Sequence, residues 1–375
     1  MNVLHLHSTF DAGGKELRCV RLINAFGPDV RHTIISAVPH AMAAARGISR
    51  EIPVFYRSSF PSLTGRPTPW RLLRLAKAMK PYDLILTYNW GAMDAVMAHT
   101  IYAASLGLPP LVHHEDGFNA DEAERLKPGR NFYRRVALAR ASALVVPSNV
   151  LEQVALEVWQ QPREQVHRIA NGIATVDYRR KPKPDVLPGL IKRPGEFWVG
   201  TMAGLRAVKN LPRLVRCMAD LPDNWQLVIM GEGPEREAIS EEAIRLGIGH
   251  RVHLPGFAPD PAAVIGLFDI FALSSDSEQF PISVVEAMSA GLPVAAPAVG
   301  DVARIVATEN ARFITRPGDE AGLTNALEEL AADPKLRVRV GEANRVRALA
   351  EFDEKAMIQA YRTLYGSVLG RPTFP

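Results

Sequence analysis

Cysteine is scarce: Cys19 and Cys217 are the only two in 375 residues, one in each half of the chain. Such a pair supports no disulfide framework and no thiolate metal cluster, and it fits a reducing cytoplasm. Long apolar runs are missing too. None approaches the roughly 20 residues that span a bilayer, although 47% of the residues are apolar and mean hydropathy is −0.02. That is the balance of a soluble globular protein. The opening, Met1-Asn-Val-Leu-His-Leu-His7, has no basic region and no cleavage site, and reads as a first strand, not a signal peptide. There is no G-x-G-x-x-G, so no dinucleotide fingerprint, and no D-x-D metal motif in a matching context. No internal repeat is clear. The length suits two domains of ordinary size.

Charge is present but uneven. Residues 1–180 hold 22 Lys and Arg against 15 Asp and Glu, while residues 181–375 hold 22 against 25. A basic first half suits an anionic acceptor or an anionic membrane surface. No nucleic-acid partner is expected.

The densest chemistry lies in Asp269–Pro297. Phe271–Leu273 reads as a buried strand and Ser274–Phe280 as a loop. Pro281 has a fixed φ suited to the first turn of a helix. Val284, Val285, Ala287 and Met288 make that helix apolar on most faces, and Gly291 with Pro293 stops it. Two carboxylates stand eight residues apart, Glu278 in the loop and Glu286 inside the helix. A buried carboxylate must meet donors, and a sugar diol has two. The helix start beside Glu278 offers free N–H groups to a phosphate. By spacing alone, Glu278 is equally a solvated loop charge and Glu286 a salt-bridged core residue.

Strand and helix patterns alternate on both sides of this unit, as in doubly wound parallel sheets. Residues 3–7 form a strand, Gly13-Gly14 a turn that opens N–H groups, and Leu17–Phe26 a helix. Further strands are read at 32–36, 84–87, 111–113 and 143–148, then at 199–202, 227–230 and 251–254. His113-His114-Glu115-Asp116 invites a metal reading, but adjacent strand side chains point to opposite faces, so no metal site is expected. Asn119–Ala141 is arginine-rich. Its members Arg130, Arg134 and Arg135 are candidates for an anionic acceptor, such as a lipid pyrophosphate at a membrane surface, or else form a solvated helix face. Lys181-Pro-Lys-Pro184, Pro188-Gly189 and Pro194-Gly195 have linker chemistry. The expected domains are therefore 1–182 and 195–350. Arg206 and Lys209, after the strand at 199–202, suit a diphosphate leaving group, and Gly231-Glu232-Gly233-Pro234 is a turn opening a helix.

The run from Glu278 to Glu286 followed by Ala-Met-Ser-Ala-Gly-Leu-Pro-Val294 resembles the signature of family 4 of the retaining GT-B glycosyltransferases, the glycosyl transferases group 1. Gly13, Gly14 and Glu16 match its Gly-Gly-x-Glu, Lys209 its phosphate Lys, and Gly231 its Gly-x-Gly-Pro. The chain departs from the family at Gln279, where Gly is usual, at Gly204 for Arg, at Ala174 for Asp and at Arg304 for Glu. The resemblance implies two facing Rossmann-like domains, with a last helix, 353–375, returning to the first. It implies retaining, metal-independent transfer from a UDP- or GDP-linked sugar to a glycan or lipid-linked acceptor, in cell-envelope or exopolysaccharide assembly, in the cytoplasm or at the inner face of the membrane. No cofactor is implied beyond the sugar nucleotide. Glu278, His114 (or His113) and Lys209 are the implied catalytic groups. Gly13, Gly14, Arg206, Lys209, Gly231, Gln279, Phe280, Pro281 and Glu286 are the implied donor-binding residues, with Glu286 on the ribose. Two other classes fit the same residues: an epimerase or hydrolase that turns over the sugar nucleotide with no acceptor, and a non-catalytic nucleotide-sugar binding module.

Overall fold

Near-continuous Val, Ile, Leu and Ala runs mark strands buried on both faces, which is the environment of a parallel sheet. Thirteen strands, the central ones of that kind, occur among the residues described, 1–118, 120–122 and 125–375 of this computed structural model. Asn119, Ala123 and Glu124, part of the arginine-rich stretch, lie outside the described residues. The chain divides into two units, Met1–Asn171 with Met357–Pro375, and Gly172–Ala356.

The first unit holds β1 (Asn2–His7), β2 (Arg31–Ser36), β3 (Val54–Tyr56), β4 (Leu84–Tyr88), β5 (Leu111–His114), β6 (Ala143–Val146) and β7 (Val166–Arg168). All pair in parallel, in the order β3-β2-β1-β4-β5-β6-β7. Its first four helices are α1 (Gly14–Phe26), α2 (Pro69–Met79), α3 (Met93–Leu106) and α4 (Pro128–Leu138). After β6 come a short helix α5 (Asn149–Gln153) and a wider π turn, Val154–Val158, which leads to the fully buried Trp159.

The second unit holds β8 (Phe197–Met202), β9 (Trp225–Met230), β10 (Val252–Gly256), β11 (Ile270–Ala272), β12 (Val294–Pro297) and β13 (Ile314–Thr315). These also run parallel, in the order β10-β9-β8-β11-β12-β13. Its helices are α6 (Leu211–Met218), α7 (Arg236–Arg245), α8 (Ile282–Ser289), α9 (Val302–Ile305), α10 (Glu320–Ala332) and α11 (Pro334–Glu351).

The linker-like composition lies inside the second unit, not at the division. Lys192 explains why: its ammonium donates to the Leu267 carbonyl and to Asp269 Oδ2, both at 2.6 Å. Proline-rich composition reports the lack of regular structure; it does not register such side-chain ties. The last helix, α12 (Glu354–Val368), joins the first unit from Met357 onward. Met357, Tyr361, Leu364 and Tyr365 are buried in the same apolar cluster as Val20, Ile23 and Phe26 of α1.

Gly291 ends α8 with φ +76°, the backbone conformation that favours glycine. Its carbonyl lies against the middle of α11, where a Cβ on Gly341 would come within 2.0 Å of it. Neither backbone can yield easily in a packed interior. We expect Gly341→Ala to destabilise the second unit by about 1–3 kcal/mol, read as a lowered urea midpoint with an unchanged m-value.

Candidate functional site

In open parallel sheets a ligand crevice forms at the C-terminal strand ends where the strand order reverses. In the second sheet that reversal falls between β8 and β11. The segment after β8 carries Arg206 and Lys209, and the segment after β11 carries Glu278. Topology thus brings together residues about 70 positions apart in the chain. Lys209 Nζ donates to Glu278 Oε1 at 2.5 Å, and Ser275 Oγ donates to the same oxygen at 2.8 Å. The backbones are tied as well. Asp276 N bonds Val208 O at 2.9 Å, Ser274 Oγ bonds the Lys209 carbonyl at 2.9 Å, and Asn210 Nδ2 bonds Asp276 Oδ2 at 3.0 Å. Arg213 adds bonds to Ser274 O at 3.0 Å and to Asp276 Oδ1 at 2.8 Å.

Arg206 is exposed, and a Cβ on Gly204 would lie 3.5 Å from its Nε, in ordinary van der Waals contact. Gly231 (φ +152°) passes under the segment: a Cβ there would meet the Ala203 carbonyl at 1.9 Å. Its requirement for glycine is therefore met by packing, whatever it binds. Gln279 accepts the Asp301 amide at 3.0 Å through its backbone carbonyl. Its side-chain Oε1 is buried without a hydrogen-bond partner. Phe280 is buried edge-on to Phe352, with ring centroids 5.7 Å apart. Pro281 sits at the N-cap of α8 with φ −70°. Glu286, only 8% exposed, receives the Tyr178 hydroxyl at 3.0 Å. The donor that burial demands of a carboxylate thus comes from Tyr178, inside the 1–182 stretch expected to be the first domain but part of the second unit.

The first sheet reverses between β1 and β4. The segments after them meet closely: a Cβ on Gly91 would stand 2.2 Å from that of Ser8. Gly13 is the N-cap of α1 and Gly14 its first residue. The space over Gly13 is taken by the Glu16 carboxylate, 2.7 Å from where a Cβ would be, and Glu16 pairs with Lys15. His114 does not present itself to a ligand in this structure. It is buried, with Nδ1 on the Thr87 carbonyl at 3.2 Å and Nε2 on the Tyr365 hydroxyl at 2.8 Å. His113 is buried on the opposite face, with Nδ1 on Thr87 Oγ1 at 2.8 Å. Within the His-His-Glu-Asp run, His113 Nε2 and Glu115 Oε2 lie 3.8 Å apart. Among the described residues, the grouping of His, Cys and acidic side chains close enough to share an ion is His5, His7 and Cys19, in the core.

Arg134 corrects the expected basic face. It is fully buried, bidentate to Glu122 at 3.0 and 3.1 Å and 3.5 Å from Glu115, and its guanidinium lies 4.9–5.3 Å from the rings of Trp90, Phe118 and Trp159. Helical phase is the reason: Arg134 turns inward with Ala137 and Leu138, while Arg135 stays exposed. Burial alone would raise the Glu122 carboxyl, but Arg134 and Arg130 outweigh it and hold the group below the usual range. Arg130 lies 5.0 Å from the Trp90 ring and lines a cavity of about 760 Å³ with Trp90, Asp94 and Tyr133.

Sequence reading missed Tyr178 and Ser275, which no motif flags. It also missed Arg18 of α1, which is buried and bonds Asp116 Oδ2 and Asn171 Oδ1, both at 2.8 Å.

Comparison with known proteins follows the same division. The Glycosyltransferase Family 4 model matches residues 12–176, and the Glycosyl transferases group 1 model matches residues 188–347. The chain is 25% identical over 369 residues to the lipopolysaccharide core biosynthesis glycosyltransferase LpsD of Rhizobium meliloti (strain 1021), covering 97% of this chain and 98% of that one. It is 25% identical over 303 residues to the 2-deoxystreptamine glucosyltransferase of Streptomyces kanamyceticus, covering 74% and 77%. Among solved structures, Anabaena HepE in complex with UDP and glucose superposes with a TM-score of 0.80 at 22% identity, covering 98% of this chain and 100% of that one.

Two outcomes follow from the buried groups. Arg134→Ala takes the guanidinium from buried Glu115 and leaves Glu122 to Arg130, and should cost about 3–5 kcal/mol, whereas Arg135→Ala should stay within about 0.5 kcal/mol; denaturant titration of each reads the difference. Burial lowers the ring pKa of His5, His7 and His114 well below 6.5 and that of His32 to about 4. The unfolded chain takes up these protons below about pH 6.5 and the folded unit resists until about pH 4, so the unfolded state binds more protons in that window. Stability of the first unit should therefore fall as pH drops from 6.5 toward 4, as followed by the urea midpoint across that range.

Proposed function

The chain is a GT-B glycosyltransferase whose two halves match successive glycosyltransferase family models, and we propose that it moves a sugar, with retention, from a nucleotide-diphosphate sugar to a glycan or lipid-linked acceptor. The observation that carries this reading is the meeting of Lys209 and Glu278 at the β8–β11 reversal, eight residues before the buried Glu286 of α8. Lys209, helped by Arg206, takes the diphosphate; amides of Gln279–Phe280 and the start of α8 assist. Glu278 accepts from donor-sugar hydroxyls and Glu286 from the ribose, with Tyr178 holding one oxygen of Glu286. The bond from the anomeric carbon to the phosphate oxygen breaks, and a bond to the acceptor oxygen forms on the same face. The acceptor proton passes to the leaving phosphate, so no side-chain base and no metal is invoked.

The acceptor sits in the first unit. Support comes from the cavity of about 760 Å³ lined by Trp90, Asp94, Lys127, Arg130 and Tyr133, an aromatic and polar wall of the kind that meets hydroxyl or anionic groups. LpsD, named for lipopolysaccharide core biosynthesis, points to cell-envelope glycans. UDP, bound in HepE, is the first donor base to try, with GDP second. Among the described residues no helix is long and apolar enough to cross a membrane. Work at the inner membrane face would rely on the basic first half and on exposed groups such as Arg135.

A thermal-shift screen of UDP, GDP and ADP with their common sugars, in the presence of chelator, tests the donor site. One nucleotide should stabilise the protein selectively, and Lys209→Ala and Glu286→Ala should abolish the shift. A shift that needs a divalent metal, or none from any nucleotide, would overturn the assignment. With the donor known, the anomeric configuration of the product, read by NMR, decides retention.

A further inference from the structure

A cation and a carboxylate that serve different parts of one ligand need not touch each other. Here they do. Lys209 and Glu278 close on one another at 2.5 Å, with side chains only 15% and 11% exposed. Water therefore contributes little to either charge, and separating them carries a desolvation cost. The two segments that bear them are held by ties that do not involve the pair: Asp276 N to Val208 O, Asn210 to Asp276, and Arg213 to both Ser274 O and Asp276. Opening the pair is thus a matter of two side chains rotating on a fixed frame.

We infer that the Lys209–Glu278 ion pair is a specificity device that favours the intact sugar nucleotide over the bare nucleoside diphosphate. The inference rests on the donor site proposed above. A nucleoside diphosphate draws Lys209 to its phosphates and leaves Glu278 with the Ser275 hydroxyl alone. The carboxylate is then poorly paired in a half-closed site, which is costly. A sugar nucleotide satisfies both groups, phosphate to Lys209 and sugar hydroxyls to Glu278. After transfer the sugar has left, Glu278 recaptures Lys209, and the nucleoside diphosphate loses its cation. The pair therefore both selects the donor and speeds release of the product.

The test is calorimetric titration of the full chain with UDP and with UDP-glucose, or with GDP and GDP-mannose if the nucleotide screen selects guanine. The expected result for Glu278→Gln and Glu278→Ala is tighter binding of the nucleoside diphosphate, by about fivefold, with no gain for the sugar nucleotide. Glu278→Asp keeps the charge but withdraws it from Lys209 by one methylene, so it should also tighten the nucleoside diphosphate. Lys209→Gln should weaken both ligands. Tightening in the Gln and Ala variants but not in the Asp variant would reduce the effect to charge repulsion and overturn the pair as the device. No tightening in any Glu278 variant, with Lys209→Gln still weakened, overturns the inference and leaves the donor site standing. If neither ligand pair binds the wild type, the donor site falls and the inference with it.

Discussion

Everything in the candidate site depends on one constraint, the reversal of strand order between β8 and β11. In a parallel sheet each strand delivers its following loop to the same edge. Where the order reverses, the two loops leave to opposite sides and open a crevice between them. The loop after β8 ends on a cation and the loop after β11 on a carboxylate. The parallel pairing of Ile270 with Val199 and of Phe271 with Gly200 sets their separation. The close contact of Lys209 with Glu278 is a consequence of that register, reinforced by the ties around Asp276. Any donor chemistry at this edge starts from two charges that already neutralise each other.

The first unit solves a different problem. It buries an unusual set of polar groups: His5, His7, His32, His114, Tyr88 and Tyr365 in one aromatic network, and Arg134 with Glu115 and Glu122 in another. Low-dielectric surroundings hold the histidines neutral, and two carboxylates and three aromatic faces surround the Arg134 guanidinium. Such networks fix the positions of the segments that carry them. Tyr365 binds His114 from the last helix, and Arg18 ties α1 to Asp116 and Asn171. The arginine-rich stretch is therefore partly an internal strut, with Arg130 tied to Asp121 and Glu122 at the edge of the cavity and Arg135 left facing outward.

The sequence by itself determined the two alternating strand–helix halves, because period and apolar runs encode burial locally. It also determined the boundaries of α8, since Pro281 and Gly291 impose backbone geometry on their own account, and it marked Glu278 and Glu286 through the density of one motif and Lys209 through its place after a strand of the second half. Only the tertiary structure decided which of these side chains meet. Tyr178 reaches Glu286 across 108 residues and Lys209 reaches Glu278 across 69, and no local pattern carries that information. Tertiary packing also decided that Arg134 points inward, that His114 is covered by the last helix, and that the proline-rich segment belongs to the second unit. The physical reason is common to all of these. Local sequence fixes dihedral angles and which faces are apolar, whereas hydrogen-bond partners and burial depend on strand order, and strand order is a property of the folded sheet.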